Sequence, residues 1–168
     1  SEEVPAVRAT PELPAALRLR PVLGRLFLPS DGEANAETVA LISHELWQSR
    51  FGGSPDALGQ AVRLDGKVRT IVGVLPPGVQ FPVVRAPWSG SGNIIKAGAK
   101  AFWLPMAKPR GDDETSRGAR MFLGIGRLKP GVSETSARAE LAALSKRLAV
   151  EYPESNRNWS FTVLSFRD

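Results

Sequence analysis

The sequence predicts a fold that mixes helices with strands, and three patterns carry this prediction. Residues 61–64 and 68–75 are apolar runs separated by Asp65-Gly66, a pair typical of the two-residue turn of a β-hairpin. A helical pattern of apolar residues follows Ser133, and alternating apolar residues on both sides of it indicate strands. A weaker pattern of the same order opens the chain. At 168 residues the protein is long enough for one domain or two small lobes.

The N-terminal pattern begins with Thr10-Pro11-Glu12. This triplet predicts a helix start, because threonine can cap the free N–H groups and proline fits the first turn. We expect the helix to reach about Leu19. A strand should precede it at residues 4–9, and an extended segment should follow it at residues 21–27.

A second strand and helix come before the hairpin. Residues 38–42 are an apolar run of strand type, and residues 44–51 predict a short helix that Gly52-Gly53 ends. In the second hairpin strand, side chains should alternate between the two faces of the sheet. One face is therefore expected to carry Val68, Thr70, Val72 and Val74.

The last third of the chain predicts a strand, a helix and a strand. Ser133 should cap the helix and Pro153 should end it. The apolar stripe of the helix consists of Ala137, Leu141, Leu144 and Leu148. The strands carry alternating apolar side chains, namely Met121, Leu123 and Ile125 before the helix and Trp159, Phe161 and Val163 after it.

Positive charge is concentrated in one part of the chain. The net charge is +5, and residues 85–129 alone hold nine basic and three acidic residues. Within this part, residues 85–100 are rich in glycine and show no periodicity, so we expect an exposed, mobile loop. Trp88, Lys96 and Lys100 are its candidate contacts with a partner. A surplus of solvated lysine and arginine, without any partner, is the other interpretation of this segment.

Patterns that would indicate catalysis, a cofactor or a metal are incomplete in this sequence. There is no cysteine, and the single histidine, His44, stands at a predicted helix start, where a structural role is expected. Gly124-x-Gly126 resembles a dinucleotide fingerprint, but Lys129 occupies the position of the third glycine. The glycines of residues 92–100 are spaced one residue too far apart for a phosphate loop. We therefore expect no catalytic activity, no cofactor and no metal, and we interpret the acidic residues 112–114 as solvated.

Several blocks of the sequence resemble the periplasmic core domain of MacB-like permeases, a bacterial family of ABC exporters and FtsX-type proteins. The resemblance is strongest across residues 62–78, which read VRLDGKVRTIVGVLPPG. Further blocks follow in the same order as in the family, at residues 17–27, 39–53, 102–105, 125–133 and 151–156. Residues 85–100 match no block of the family.

The resemblance implies an α+β domain placed between the first two transmembrane helices of a permease. It implies a split βαβ-type lobe near the membrane, built from residues 1–36 and 118–168, and an inserted strand-rich lobe of residues 37–117. No stretch of this sequence approaches the roughly 18 consecutive apolar residues of a membrane-spanning helix. The flanking helices are therefore expected beyond its ends.

Members of this family couple ATP hydrolysis in the cytoplasm to transport or mechanical signalling outside the membrane. The implied partners are an adaptor or cargo protein and a cytoplasmic ATPase, with no nucleic acid. The implied location is the bacterial inner membrane, with this domain facing the periplasm or cell exterior. The alternative from the residues alone is a soluble binding module, whose basic, Trp-containing loop would hold an anionic ligand or nucleic acid.

Overall fold

The computed structural model describes residues 4–33, 38–79, 100–106, 124–163 and 165. The chain divides into two compact units, Ser1–Pro109 and Arg110–Asp168. Helices and a mixed sheet make the fold α+β, as the resemblance implies. None of the described helices has the length and apolar character needed to span a membrane.

The first unit contains the sheet. Its strands are β1 (Ala6–Ala9), β2 (Leu23–Gly24), β3 (Val39–Ile42), β4 (Ala61–Leu64), β5 (Lys67–Val74) and β6 (Phe102–Pro105). Its α-helices are α1 (Leu13–Ala16) and α2 (His44–Phe51), and short 3₁₀ turns lie at Pro29–Gly32 and Pro55–Ala57.

Helix α1 is shorter than the sequence predicts. It ends at Ala16 rather than near Leu19, because Arg18 takes a φ of 56°, in the left-handed region that a helix cannot contain. Thr10 does not cap it, since Glu12 holds the N-cap position and makes no side-chain cap bond.

The sheet has the order β1-β6-β3-β5-β2, with β4 paired to the N-terminal half of β5. Strand pairs β1–β6 and β3–β5 are parallel, whereas β3–β6, β2–β5 and β4–β5 are antiparallel. Strands β1 and β2 come from residues 1–36 and the other four from residues 37–117, so the sheet crosses the expected lobe boundary. The assignment of residues 118–168 to a lobe with residues 1–36 stays a prediction.

The β4–β5 hairpin confirms the turn predicted from Asp65-Gly66. Both residues have a positive φ, 51° at Asp65 and 75° at Gly66, as a type I′ turn requires. The register Leu64↔Lys67 continues without a shift to Ala61↔Thr70. The turn type matches the right-handed twist of the strands, and this match explains why two residues are enough to join them.

A β-bulge in β5 decides which side chains enter the core. Ala40 pairs with Ile71 but Leu41 pairs with Gly73, so Val72 is an extra residue on β5. The bulge places Ile71 and Val74 in the same core cluster, although a regular strand would point them to opposite faces. The prediction that Val74 shares a face with Val68 is therefore wrong, and Val68 is exposed whereas Val74 is fully buried.

The central strands of the sheet are covered on both faces. The core cluster on one face consists of Ala40, Ile42, Leu46, Ala57, Ile71, Val74, Phe102 and Leu104. On the other face, Trp103 is aligned with Val7 in β1 and with Leu41 in β3, and all three are buried. Burial on both faces explains why β3 is an uninterrupted apolar run rather than an alternating one.

Gly73 lets the backbone at Arg25 lie close to β5, because glycine has no side chain. A Cβ atom at this position would lie 2.1 Å from the backbone carbonyl oxygen of Arg25. Arg25 itself donates its N–H to the Val72 carbonyl at 2.9 Å, so its backbone cannot move away without losing that bond. The segment after β2 therefore lies directly on β5.

The second unit is built around α3 (Glu134–Glu151), which short helix α4 (Pro153–Asn156) follows. Ser133 caps α3 as predicted, because its Oγ accepts the N–H of Ser136 at 3.1 Å. The predicted stripe of Ala137, Leu141, Leu144 and Leu148 is half-buried. Of the strand expected before the helix, Met121 and Leu123 lie outside the described residues, and Ile125 has no regular secondary structure.

The strand predicted after the helix is wrong for residues 159–163, which have no regular secondary structure. The Phe161 N–H donates to Ser145 Oγ at 3.1 Å, and Ser145 in turn donates to the Leu141 carbonyl at 2.8 Å. The segment is thus hydrogen-bonded to a side chain of α3. Trp159 and Phe161 alternate in sequence, yet both side chains remain exposed.

We expect Gly73→Ala to lower the free energy of unfolding by about 1–3 kcal/mol, because the new methyl group overlaps the Arg25 carbonyl. Urea denaturation followed by circular dichroism measures the change. The control is Gly124→Ala, where a Cβ would meet no atom within 4 Å and where we expect a change within about 0.5 kcal/mol. Equal stability of the two variants would contradict the close approach.

Candidate partner-contact site

The three candidate contact residues are only partly described by the structure. Trp88 and Lys96 lie outside the described residues. Lys100 is exposed and stands two residues before β6 begins. The expectation that residues 85–100 form an exposed loop therefore stays a prediction. The structure does show how the chain is held on either side of residues 80–99.

Ser43 fixes the chain where it returns after residues 80–99. It is buried, and its Oγ caps α2 by accepting the N–H of Leu46 at 3.2 Å. The same Oγ accepts the N–H of Ala101 at 3.0 Å, and the Ser43 N–H donates to the Ala101 carbonyl at 3.0 Å. One residue thus fixes the start of α2 and the entry to β6.

Glu45 fixes the chain directly before residues 80–99. Its Oε1 accepts the N–H of Gly78 at 2.9 Å, after the Pro76-Pro77 pair that follows β5. Gly78 has a φ of 76°, which a glycine adopts at little cost and which turns the chain toward the helix. The other oxygen, Glu45 Oε2, is buried without a hydrogen-bond partner among the residues described.

Residues 78 and 101 are therefore both bound within the first turn of α2. The chain leaves the described part after Val79 and returns at Lys100, next to the same helix end. The chain on both sides of residues 80–99 is anchored by hydrogen bonds from its backbone groups to Ser43 and Glu45. Sequence analysis identified Lys100 but missed Ser43 and Glu45 as anchors. The only signal for them was the position of Ser43 directly before a predicted helix.

His44 and Trp47 complete this end of the first unit. The two rings pack edge to face, with centroids 5.5 Å apart, and the Trp47 indole N–H donates to the Ser54 carbonyl at 2.8 Å. Both side chains are half-buried. His44 is the first residue of α2, and this position confirms the helix-start role expected for it.

No group of three or more His, Asp or Glu side chains within the described ranges could hold a metal ion. The acidic residues 112–114 lie outside those ranges. Gly124 and Gly126 are described, and α3 begins only at Glu134, so the glycines are not at the helix N-terminus where a pyrophosphate would bind.

Three charged residues lie together where the hairpin tip meets β1. Arg8 and Asp65 form an ion pair at 3.3 Å in which both side chains are largely exposed, so it contributes at most about 1 kcal/mol. Arg69 is buried beside them, and its Nε has no hydrogen-bond partner among the described residues. Burial lowers the pKa of Arg69, the nearby Arg8 lowers it further, and Asp65 opposes both effects.

Comparison with known families gives a match over most of the chain. The family described as the MacB-like periplasmic core domain matches residues 1–144. A search of the curated proteins found no match.

Two solved structures are similar to this chain. One is the periplasmic region of MacB from Actinobacillus actinomycetemcomitans, with 14% identity, a TM-score of 0.49, and coverage of 88% of this chain and 56% of that one. The other is the extracellular domain of the noncanonic ABC-type transporter YknZ from Gram-positive bacteria, with 15% identity, a TM-score of 0.48, and coverage of 88% and 64%. The chain thus spans less than two thirds of either structure.

We expect Ser43→Ala to be more destabilising than a simple loss of a helix cap. It removes the cap of α2 and leaves the buried N–H of Ala101 without its acceptor, a combined cost of about 2–4 kcal/mol. The control is Ser133→Ala, which removes the exposed cap of α3 and should cost about 0.5–1 kcal/mol. Thermal unfolding measures both, and similar losses for the two variants would contradict the double role of Ser43.

Replacement of Arg69 by methionine should leave the free energy of unfolding unchanged or raise it by up to about 1 kcal/mol. The change removes a charge that folding disfavours and retains a long side chain of similar reach. Chemical denaturation at pH 7 measures the change. Arg63→Met on the exposed side of the same hairpin is the control and should be neutral within about 0.5 kcal/mol. A loss above about 1 kcal/mol in the Arg69 variant alone would show that its charge stabilises the fold.

Proposed function

The chain belongs to the family of MacB-like periplasmic core domains, and on this basis we propose that it acts as the extracytoplasmic domain of an ABC-transporter-type permease. In this role it couples ATP hydrolysis in the cytoplasm to transport or mechanical signalling, through contacts with an adaptor or cargo protein. It catalyses no reaction and holds no cofactor. Transmembrane helices on either side of the domain anchor it in the bacterial inner membrane, where it faces the periplasm or cell exterior.

The observation that carries this proposal is the family match over residues 1–144. The way the first unit is built supports it. Strand β3 is buried on both faces, and the start of α2 binds the chain on both sides of residues 80–99. A segment anchored in this way can pass a push or pull from a partner to the core, because closely packed interiors transmit strain.

Within this proposal, Trp88, Lys96 and Lys100 contact the partner. Lys100 is exposed beside the anchored Ala101, so a force on it acts directly on the Ser43 junction. The excess of basic residues in residues 85–129 favours a partner surface that carries acidic groups.

The location of the domain can be tested with a single cysteine, because these 168 residues contain none and any cysteine elsewhere in the protein can be replaced by serine. Lys100→Cys is introduced into the protein expressed from its natural gene, and spheroplasts are treated with a membrane-impermeant maleimide. We expect labelling before lysis, since Lys100 is exposed. The control Ala40→Cys lies in the core and should be labelled only after denaturation.

Labelling of the Lys100→Cys variant only after lysis would place the domain in the cytoplasm and contradict the proposal. That result would favour the alternative, a soluble module that binds an anionic ligand or nucleic acid through its basic segment. The segment's nine basic and three acidic residues are the observation behind this alternative.

A further inference from the structure

Strand β4 has a free edge among the residues described. It pairs with β5 on one side and with no other described strand. Two hydrogen bonds show which backbone groups of β5 point toward β4. The N–H of Ile71 donates to the Gln60 carbonyl at 3.0 Å on the β4 side, whereas the N–H of Thr70 donates to the Thr38 carbonyl on the β3 side. Ladder bonds alternate along an antiparallel pair, so Val62 and Leu64 bond to β5. The N–H and C=O groups of Ala61 and Arg63 point outward.

A groove runs beside this edge. It has a volume of about 540 Å³ and is lined by Arg50, Phe51, Gln60, Ala61, Val62, Arg63, Leu64 and Phe102. Phe51, Val62 and Leu64 pack against the core cluster, so they give the groove an apolar wall that is fixed in position. Its size is within the range of ligand-binding clefts, and the edge of β4 supplies the polar groups.

The edge lacks two of the features by which proteins prevent strand addition, a proline and a β-bulge, although it is short and carries one charge. Residues 61–64 contain no proline, and the β4–β5 register has no bulge. Arg63 is the one charged residue of the strand, and its Nη1 lies 3.4 Å from the Gly66 carbonyl of its own hairpin. The outward N–H and C=O groups of β4 are therefore accessible, and their spacing fits a ligand with an extended backbone.

The charged residues around the groove indicate that the ligand is negatively charged. Among the residues that the structure describes, two arginines, Arg50 and Arg63, and no acidic residue line the groove. The acid closest in sequence, Asp65, is already paired with Arg8. A ligand with carboxylates would find cations that have no acidic neighbour in the lining, whereas a basic ligand would be repelled.

We propose that the β4 edge and its groove bind an extended acidic peptide segment of a partner protein, which adds to the sheet as a further strand. The peptide makes up to four backbone hydrogen bonds, to the N–H and C=O groups of Ala61 and Arg63. Because side chains alternate, every second residue enters the groove against Phe51 and Val62 and is apolar. The residues between them lie on the face of Arg63 and are acidic. This inference goes beyond the proposed function and does not depend on it.

The test uses the 168-residue chain and an eight-residue fluorescein-labelled peptide in which glutamate alternates with valine. Fluorescence anisotropy measures the dissociation constant at about 0.15 M salt, an ionic strength at which distant charges are screened. NMR amide shifts show where the peptide binds. We expect saturable binding with the largest shifts at residues 61–64. A control peptide with lysine in place of glutamate should bind at least about tenfold more weakly.

Two variants test separately how much the β4 edge and the positive charge of Arg63 contribute to peptide binding. Ala61→Pro removes an outward N–H and keeps every charge and every bond to β5, and we expect about tenfold weaker binding. Arg63→Glu should weaken binding about three- to tenfold and keeps the proposal testable if the proline variant fails to fold. The matched control Arg147→Glu makes the same charge change on α3 and should bind within about twofold of the natural sequence.

The proposal is overturned if the acidic peptide shows no saturable binding up to about 1 mM. It is also overturned if the lysine peptide binds equally well, if Ala61→Pro binds as the natural sequence does, or if the amide shifts lie elsewhere. Each of these results leaves the labelling experiment on Lys100→Cys unaffected, so failure of this inference and failure of the proposed function are distinguishable.

Discussion

Strand β3 runs through the centre of the sheet with both faces covered, and directly after it comes the buried hydroxyl of Ser43. This hydroxyl accepts hydrogen bonds from the N–H groups of Leu46 and Ala101, which begin α2 and lead into β6. A buried polar group must keep its partners, so the two elements cannot shift independently. Glu45, on the same turn, extends the constraint to Gly78. The end of one strand thereby positions a helix, a second strand and the chain after β5.

Helix α2 also links the two surfaces to which we assign partners. Its first turn binds the chain on both sides of residues 80–99, and its last turn contributes Arg50 and Phe51 to the groove beside β4. A helix of eight residues is about 12 Å long. Leu46 is buried in the core cluster between these two ends. A partner bound at either surface would therefore act on the same helix.

The hairpin depends on backbone geometry more than on charge. Its turn is set by the positive φ values of Asp65 and Gly66, and its position over the core is set by Val62 and Leu64. The Arg8–Asp65 ion pair is exposed and weak by comparison. The hairpin can therefore hold the β4 edge in place even when salt screens its surface charges.

The sequence by itself determined those features whose causes lie within a few residues. Asp65-Gly66 predicted the hairpin turn, Ser133 predicted the start of α3, and Gly52 predicted the end of α2, because turns and caps depend on neighbouring φ angles and hydrogen bonds. The uninterrupted apolar run of β3 likewise predicted a strand. The family blocks added the α+β class and the membership that the family match shows.

Only the tertiary structure decided which distant groups become partners. Ala101 donates to a hydroxyl 58 residues away, and Gly78 to a carboxylate 33 residues away, so no local pattern could have indicated these two partners of Ser43 and Glu45. The bulge at Val72 moved Val74 into the core, because the register against β3 and not the sequence alternation selects the buried face. Residues 159–163 alternate as a strand does, yet they have no regular secondary structure. The N–H of Phe161 donates instead to the hydroxyl of Ser145 on α3, a partner that only the folded chain brings within reach.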